Sequence, residues 1–228
     1  MKPKAYLPFS IVLMAIFTGF TSLSVQSASD KLSGSEIKPV AREIEGEVWP
    51  ELTAKVLIKA SPLESAAIFA AYDYQINYIP GLIKSKVIAE KVDKEANDTR
   101  VAYTLEMPWP LSNSQYIHGH ELTQPKEGVY KVRWYMIESD SADNVQGSAT
   151  FTPHPQNPKY TLMTYVSLVS PKSFAAGIFK KIMVGDVIKS LTAIRETTEE
   201  LKLKNSPLLK KYSSKITSVL AGQKAYSP

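Results

Sequence analysis

The chain has 228 residues, of which 44% are hydrophobic and none is cysteine, and its formal net charge is +5. Without cysteine it can form no disulfide and perform no thiolate chemistry. Its mild basicity is not gathered into lysine and arginine clusters of the kind that phosphate binding requires, so we expect no nucleic-acid partner.

Residues 1–28 have the pattern of a secretory signal peptide. A short basic start precedes an apolar run at 5–20, and residues 25–28 offer small side chains for cleavage. The run is short for a membrane-spanning helix of ~20 residues, so we prefer a cleaved signal to an N-terminal anchor. The prediction is an exported protein, periplasmic in a bacterium or otherwise secreted.

The mature chain of about 200 residues is long enough to bury one sizeable core and does not require two domains. Residues 29–46 are mixed and polar and form a lead-in with room for one short strand. We assign residues 47–203 to a single domain and residues 204–228 to a C-terminal tail.

A strand and a short helix open the domain. Residues 55–60 alternate as a strand. Ser61, Pro62 and Glu64 then supply an N-cap, a first helical residue and a capping-box partner. The helix is predicted to run from Pro62 to about Tyr72.

Six strand-like segments follow Gly81, each bounded by turn-rich sequence. Their short connections predict that neighbours pair antiparallel. The segments are 82–92, 100–107, 115–122, 129–137, 145–152 and 160–169. With the strand at 55–60 they make about seven strands.

The one long helical pattern spans residues 173–202. Apolar residues recur there at spacings of three and four, which places one apolar stripe along a helix whose opposite face is polar. Such a stripe must lie on a large apolar surface, which the sheet can provide. The predicted fold is therefore α+β, a curved antiparallel sheet wrapped around a long C-terminal helix, with room for a cavity between them.

Alternation along the strands predicts which side chains face that helix. In each of three strands one set is markedly more apolar or aromatic. The sets are Val101, Tyr103, Leu105 and Met107; Tyr116, His118 and His120; and Val132, Trp134 and Met136.

The tail has the pattern of a basic amphipathic helix. Residues 202–228 contain six lysines and no acidic residue. The apolar residues at helical spacing are Leu208, Leu209, Tyr212, Ile216, Val219 and Leu220. Residues 205–228 could make transient contact with a membrane surface or pack back on the domain as a second helix, and we slightly prefer packing.

Residues 106–116, EMPWPLSNSQY, resemble a motif of the START lipid-transfer domains, which belong to the helix-grip superfamily together with polyketide cyclases. Those domains commonly carry Pro-x-Pro-[Leu/Met]-Ser-Asn-Arg-Asp-[Tyr/Phe] at this place. The matching residues here are Pro108, Pro110, Leu111, Ser112, Asn113 and Tyr116. The resemblance extends over residues 47–203, including a last strand near 160–165 and the closing helix. It implies a helix-grip fold with a hydrophobic tunnel that holds one lipid under the C-terminal helix.

The sequence departs from the family motif at one informative place. Where many START domains have Arg-Asp, this chain has Ser114 and Gln115. The arginine of the family lies in the cavity and can meet a charged head group. Its absence argues against an anionic phospholipid and implies a more neutral, hydroxyl- and imidazole-lined wall.

The resulting hypothesis is that the protein binds and transfers a lipid or other hydrophobic small molecule, without catalytic residues or a cofactor and as a monomer. The expected ligand-binding residues are Val101, Tyr103, Leu105, Ser114, Tyr116, His118, Trp134, Met136, Ile178, Ile182 and Met183.

His118 and His120 form the single His-x-His pair of the chain. On a strand both imidazoles point to one side and could reach one metal ion. No third ligand accompanies them, since His154 lies in a distant Pro-rich turn, and we expect no metal site. We expect one imidazole in the cavity wall and the other at the cavity rim.

The alternative function is a cyclase, aromatase or hydratase that acts on a hydrophobic substrate in the same pocket. Such an enzyme needs a general acid or base there. The candidates are His118, Glu106 and Tyr103, although alternation turns Glu106 outward and Tyr103 suits a core position. A serine hydrolase is disfavoured because no Gly-x-Ser-x-Gly elbow is present.

Overall fold

The computed structural model describes residues 36–93, 97–107, 109, 112–172 and 176–226, with side chains from Met183 onward in the last range. The predicted signal peptide and the motif residues Pro108, Pro110 and Leu111 lie outside these residues. The described part contains one eight-stranded sheet and three α-helices.

All eight described strands belong to one antiparallel sheet. In chain order they are β1 Val40–Arg42, β2 Glu51–Ile58, β3 Leu82–Val92, β4 Asn97–Leu105, β5 Ser114–Lys126, β6 Val129–Ser139, β7 Ala142–His154 and β8 Asn157–Pro171. Across the sheet they follow the order β1-β2-β8-β7-β6-β5-β4-β3. Strands β3 to β8 thus form a continuous meander, as their short connections require, and β2 pairs with β8 to bring the start of the domain beside its last strand.

The fold prediction is confirmed, with differences at the strand ends. Strand β3 coincides with the predicted segment 82–92, whereas β5, β7 and β8 each extend beyond the predicted bounds at both ends. Ladder hydrogen bonds set where a strand ends, and they continue past the residues whose polarity alternates. The lead-in contributes β1, which pairs with β2 and raises the number of strands to eight.

Helix α1, Pro62–Phe69, begins with the predicted capping box. The Glu64 carboxylate accepts from the Ser61 N–H at 2.9 Å, and the Ser61 hydroxyl accepts from the Glu64 N–H at 3.4 Å. The helix ends earlier than predicted, and residues Tyr72–Asn77 form a 3-10 helix instead. One physical reason is that side chains occupy the carbonyls of the last turn: Tyr78 Oη donates to the Ile68 carbonyl at 2.7 Å.

Helix α2, Ala176–Leu203, is the long closing helix. Its Leu191 and Ile194 side chains are buried in the core. Two polar contacts join its C-terminal half to the start of the domain. Glu199 Oε1 accepts from the Lys59 N–H at 2.9 Å, and Lys202 Nζ lies 2.6 Å from Glu64 Oε1.

Helix α3, Pro207–Leu220, packs back on the domain. Its side chains Leu209, Tyr212, Ile216 and Val219 are buried, and Tyr212 Oη donates to Asp73 Oδ1 at 2.9 Å. In the structure the tail therefore packs on the domain as a second helix, and the apolar face of α3 that would meet a membrane is covered. None of the described helices has a stretch long and apolar enough to cross a membrane.

Candidate ligand-binding cavity

A cavity of about 770 Å³ is lined by strands β3 to β8, by α2 and by the segment that follows α1. This volume lies within the usual range for small-molecule sites, ~300–1,000 Å³. The helix and the sheet thus leave a space between them that side chains do not fill.

The two ends of the cavity differ in exposure. At one end lie five of the exposed lining residues, which we call the mouth: Ser112, Asn113, Asp140, Ser141 and Lys172. We use the name deep end for five of the buried lining residues: Phe69, His120, Trp134, Leu191 and Ile194. A ligand in this cavity would therefore place most of its apolar surface away from water.

Strand β5 runs the length of the cavity wall. Ser114, Tyr116, His118 and His120 all line the cavity because alternate residues of a strand share one face. At a rise of about 3.3 Å per residue, His118 lies ~13 Å and His120 ~20 Å along the strand from Ser114. The wall therefore changes from a hydroxyl near the mouth to imidazoles further in.

Stacked aromatic rings make much of the remaining wall. Trp134 stacks on Tyr165 with ring centroids 5.3 Å apart, and Tyr103 stacks on Tyr116 at 5.1 Å. Phe69, at the end of α1, lies 5.9 Å from Trp134. Such rings provide large apolar surfaces with few rotatable bonds.

The two cavity histidines are neutral and incompletely hydrogen-bonded. His120 Nε2 lies 3.0 Å from Tyr103 Oη. His120 Nδ1 and His118 Nε2 are buried without a partner among the described residues. Burial lowers the pKa of His118 to about 4. Burial, together with the neighbouring His118, lowers the pKa of His120 well below its ordinary value of 6.5.

The placement of this pair differs from the expectation that one imidazole sits at the rim. His120 lies at the deep end, and His118 lies between His120 and Tyr116. The inward side of β5 continues into the core, so both rings are carried past the mouth. Among the described residues, no group of three His, Asp or Glu side chains could hold a metal ion.

Hydroxyl groups and one carboxylate line the region near the mouth. Ser114 Oγ lies 2.5 Å from Ser141 Oγ and 3.3 Å from Asp140 Oδ1. The second carboxylate oxygen of Asp140 accepts from the Gln115 N–H at 2.9 Å. Lys172 Nζ donates to the Ser139 carbonyl at 2.6 Å. Ser114, which stands where many START domains have arginine, is thus hydrogen-bonded within a cluster of two hydroxyls and the Asp140 carboxylate.

The structure places seven of the eleven expected ligand-binding residues on the cavity wall: Tyr103, Leu105, Ser114, Tyr116, His118, Trp134 and Met183. Whether they contact a ligand stays a prediction. Val101 is fully buried in the core and does not line the cavity. Met136 is half-buried and also off the wall, beside an irregularity in the β5–β6 register at Ile117 and His118. The side chains of Ile178 and Ile182 lie outside the described residues.

Further lining residues were missed by the sequence prediction. Val187, Leu191 and Ile194 of α2 belong to the apolar stripe, so the helical period could have identified them. Phe69, Gln75, Ile79 and Pro80 also line the cavity. No sequence pattern marks them, because their position depends on how the chain folds back after α1.

No protein-family model matches the sequence, and no curated protein is significantly similar to it. Solved structures do match. A STAR-related lipid transfer protein from Xanthomonas axonopodis superposes with a TM-score of 0.62 at 17% identity, over 72% of this chain and 93% of that one. The lipid transfer and protein localization domain of human StarD13 matches with a TM-score of 0.54 at 12% identity, over 75% of this chain and 93% of that one.

The chain has a START-like helix-grip fold. The fold expected from the Pro-x-Pro motif is thereby confirmed. The Zhui aromatase/cyclase from a Streptomyces species shares the fold, with a TM-score of 0.51 at 11% identity over 66% of this chain and 94% of that one. A STAR-related lipid transfer protein and an aromatase/cyclase thus both share the fold of this chain.

Proposed function

We propose that the protein binds a lipid or another hydrophobic small molecule in the cavity and transfers it between membranes. The observation that carries the proposal is the cavity of about 770 Å³, with a buried, largely apolar deep end and a polar mouth. An apolar pocket with a few polar groups is the usual way to hold such a ligand. No covalent chemistry and no cofactor are required, and a monomer suffices.

Transfer requires the mouth to meet a membrane. Trp109, in the connection between β4 and β5, is 92% exposed, and Met107, Ser112 and Asn113 of the same connection line the cavity. Tryptophan favours the membrane–water interface, so we infer that the connection between β4 and β5 contacts the membrane. Contact through residues 205–228 would rest on the lysines, since the apolar face of α3 is buried.

The proposal is tested on the protein as purified. Native mass spectrometry with lipid extraction should reveal one bound hydrophobic molecule per chain, and a fluorescent lipid should bind the emptied protein. Leu105→Trp should block the cavity and reduce binding at least tenfold. Thr104→Trp is the matched control, because Thr104 is on the same strand but does not line the cavity. Absence of both a bound molecule and fluorescent-lipid binding would refute the proposal.

The enzyme alternative rests on one observation, the position of the His118 imidazole in the cavity wall. A neutral imidazole can accept a proton from a bound substrate. If the protein is a cyclase, aromatase or hydratase, His118→Ala should abolish turnover and leave ligand binding largely intact. A carrier shows no turnover to abolish.

We also propose that the protein is exported, from the signal-peptide pattern of residues 1–28. Cell fractionation followed by N-terminal sequencing tests this. The mature chain should begin near residue 29 and occur in the periplasm or the medium.

A further inference from the structure

His118 is a polar group in the middle of the cavity wall that still has hydrogen-bonding capacity. Its Nε2 atom is buried and has no hydrogen-bond partner among the described residues. A buried polar atom without a partner is unfavourable, and a group that pairs with it recovers the lost interaction. This atom is closed to solvent as the ring is oriented, so a ligand in the cavity would pair with it after the ring turns.

His120 is held in a different way. Its Nε2 atom lies 3.0 Å from Tyr103 Oη, so one side of that ring is anchored. His118 is held by ring contacts, with centroids 4.6 Å from Tyr116 and 5.8 Å from Tyr103. Rotation about its Cβ–Cγ bond can turn either nitrogen toward the cavity. His118 is therefore the imidazole better suited to adapt to a ligand.

The charges around the cavity disfavour an anionic group near His118. Burial keeps this imidazole neutral by lowering its pKa to about 4. Among the described lining residues Lys172 is the one lysine or arginine, and it belongs to the exposed mouth. A carboxylate or phosphate that entered the cavity would be buried there without a positive partner.

We propose that the natural ligand is a neutral hydrophobic molecule with an oxygen function, a hydroxyl or a carbonyl, on the end that enters first, and that this oxygen pairs with His118. This inference rests on the proposed function. A neutral imidazole offers one N–H donor and one acceptor nitrogen, so a hydroxyl suits either tautomer. His118 lies ~13 Å along β5 from Ser114, which is next to the mouth residue Asn113, and this distance leaves room for an apolar body between them.

The test compares chain-matched competitors in a Nile red displacement assay at pH 7.4. The competitors are 1-dodecanol, n-dodecane and dodecanoate, and the quantity measured is the ratio of the dissociation constants of dodecane and dodecanol. His118→Leu should lower this ratio about tenfold relative to wild type, the loss of roughly one hydrogen bond. His154→Leu is the matched control, since His154 does not line the cavity, and should keep the wild-type ratio. Wild type should bind dodecanoate at least tenfold more weakly than dodecanol.

The outcomes separate this inference from the proposed function. If Nile red binds and the ratio of the dissociation constants of dodecane and dodecanol is the same in His118→Leu and wild type, the role of His118 is overturned. If wild type binds dodecanoate and dodecanol equally well, the neutral ligand class is overturned. If Nile red does not bind wild type at all, the proposed function fails as well. Ring ¹⁵N NMR of wild type provides a readout that needs no folded variant. The chain has three histidines, so the ring nitrogen signals are few enough to follow one by one. Dodecanol, but not dodecane, should shift the His118 ring nitrogens, and equal responses would contradict the pairing.

Discussion

The indole of Trp134 lies directly on the backbone of Gly147 in the neighbouring strand. The two residues are paired in the β6–β7 ladder. A Cβ atom at position 147 would be 2.2 Å from Trp134 Cζ2 and 2.5 Å from the carbonyl oxygen of Val166. A side chain at this position would collide with the indole, so glycine leaves the space that Trp134 occupies in the cavity wall.

Gly147→Ala should push the Trp134 ring into the cavity. We expect the free energy of unfolding to fall by about 1–3 kcal/mol, as for other overpacked sites, and Nile red affinity to drop. Urea denaturation and dye titration measure the two effects. Gly185→Ala is the matched control, because a Cβ atom there would meet nothing within 4 Å, and alanine in a helix is favoured over glycine by ~0.5–1 kcal/mol. Opposite signs of the two stability changes are expected, and equal signs would contradict the account.

The neutral His118 should make the protein sensitive to acid. Burial lowers its pKa from 6.5 to about 4, so the unfolded chain binds this proton at higher pH than the folded chain does. The corresponding stability is present above pH 6.5 and is lost as the pH falls toward about 4, with a total of about 3 kcal/mol. The free energy of unfolding of His118→Leu should therefore fall by about 2 kcal/mol less than that of wild type between pH 7 and 4.5. Urea denaturation at both pH values measures this, and parallel curves for the two proteins would contradict it.

The end of the described chain supports the deep end of the cavity. The Glu90 carboxylate accepts from the N–H groups of Ala225 at 2.8 Å and Tyr226 at 3.0 Å. The buried Tyr226 ring lies 5.2 Å from Tyr72, whose ring lies 4.6 Å from His120.

Tyr226→Ala should therefore lower the free energy of unfolding by about 3 kcal/mol, the usual effect of truncating a buried aromatic residue. It should also weaken Nile red binding, because Tyr72 loses its support. Lys224→Ala changes an exposed residue nearby and should stay within ~0.5 kcal/mol of wild type. A Tyr226→Ala protein as stable as this control would show that the contact between Tyr226 and Tyr72 does not stabilise the fold.

Trp109 should matter for transfer and not for stability. Trp109→Ala should slow the movement of a fluorescent lipid between vesicles several-fold, because an exposed indole favours the interface, while the urea midpoint stays unchanged. Leu203→Ala is the control, since Leu203 is similarly exposed at 88% and lies about 25 Å along α2 from the cavity residue Asp186. Equal transfer rates for wild type and Trp109→Ala would exclude this membrane contact.

Strand alternation predicted the cavity wall where the strands are regular. Tyr116 and His118 share one face of β5, and Tyr103 and Leu105 share one face of β4, as their spacing requires. Alternation failed at Met136, which lies off the wall although Trp134, two residues before it on β6, lines the cavity. It also could not separate Val101, which lies in the core, from Tyr103 and Leu105 on the same strand.

The sequence by itself determined the order of the strands, the capped start of α1, the long closing helix and the START-like fold. The first three follow from polarity patterns and turn residues that act over a few neighbouring positions, whereas the START-like fold was implied by the resemblance of residues 106–116 to the family motif. The tertiary structure alone decided that His120 lies at the deep end, that Gly147 supports Trp134, that residues 69–80 complete the wall and that the apolar face of α3 is covered. These features depend on contacts between residues far apart in the chain, which no local pattern encodes.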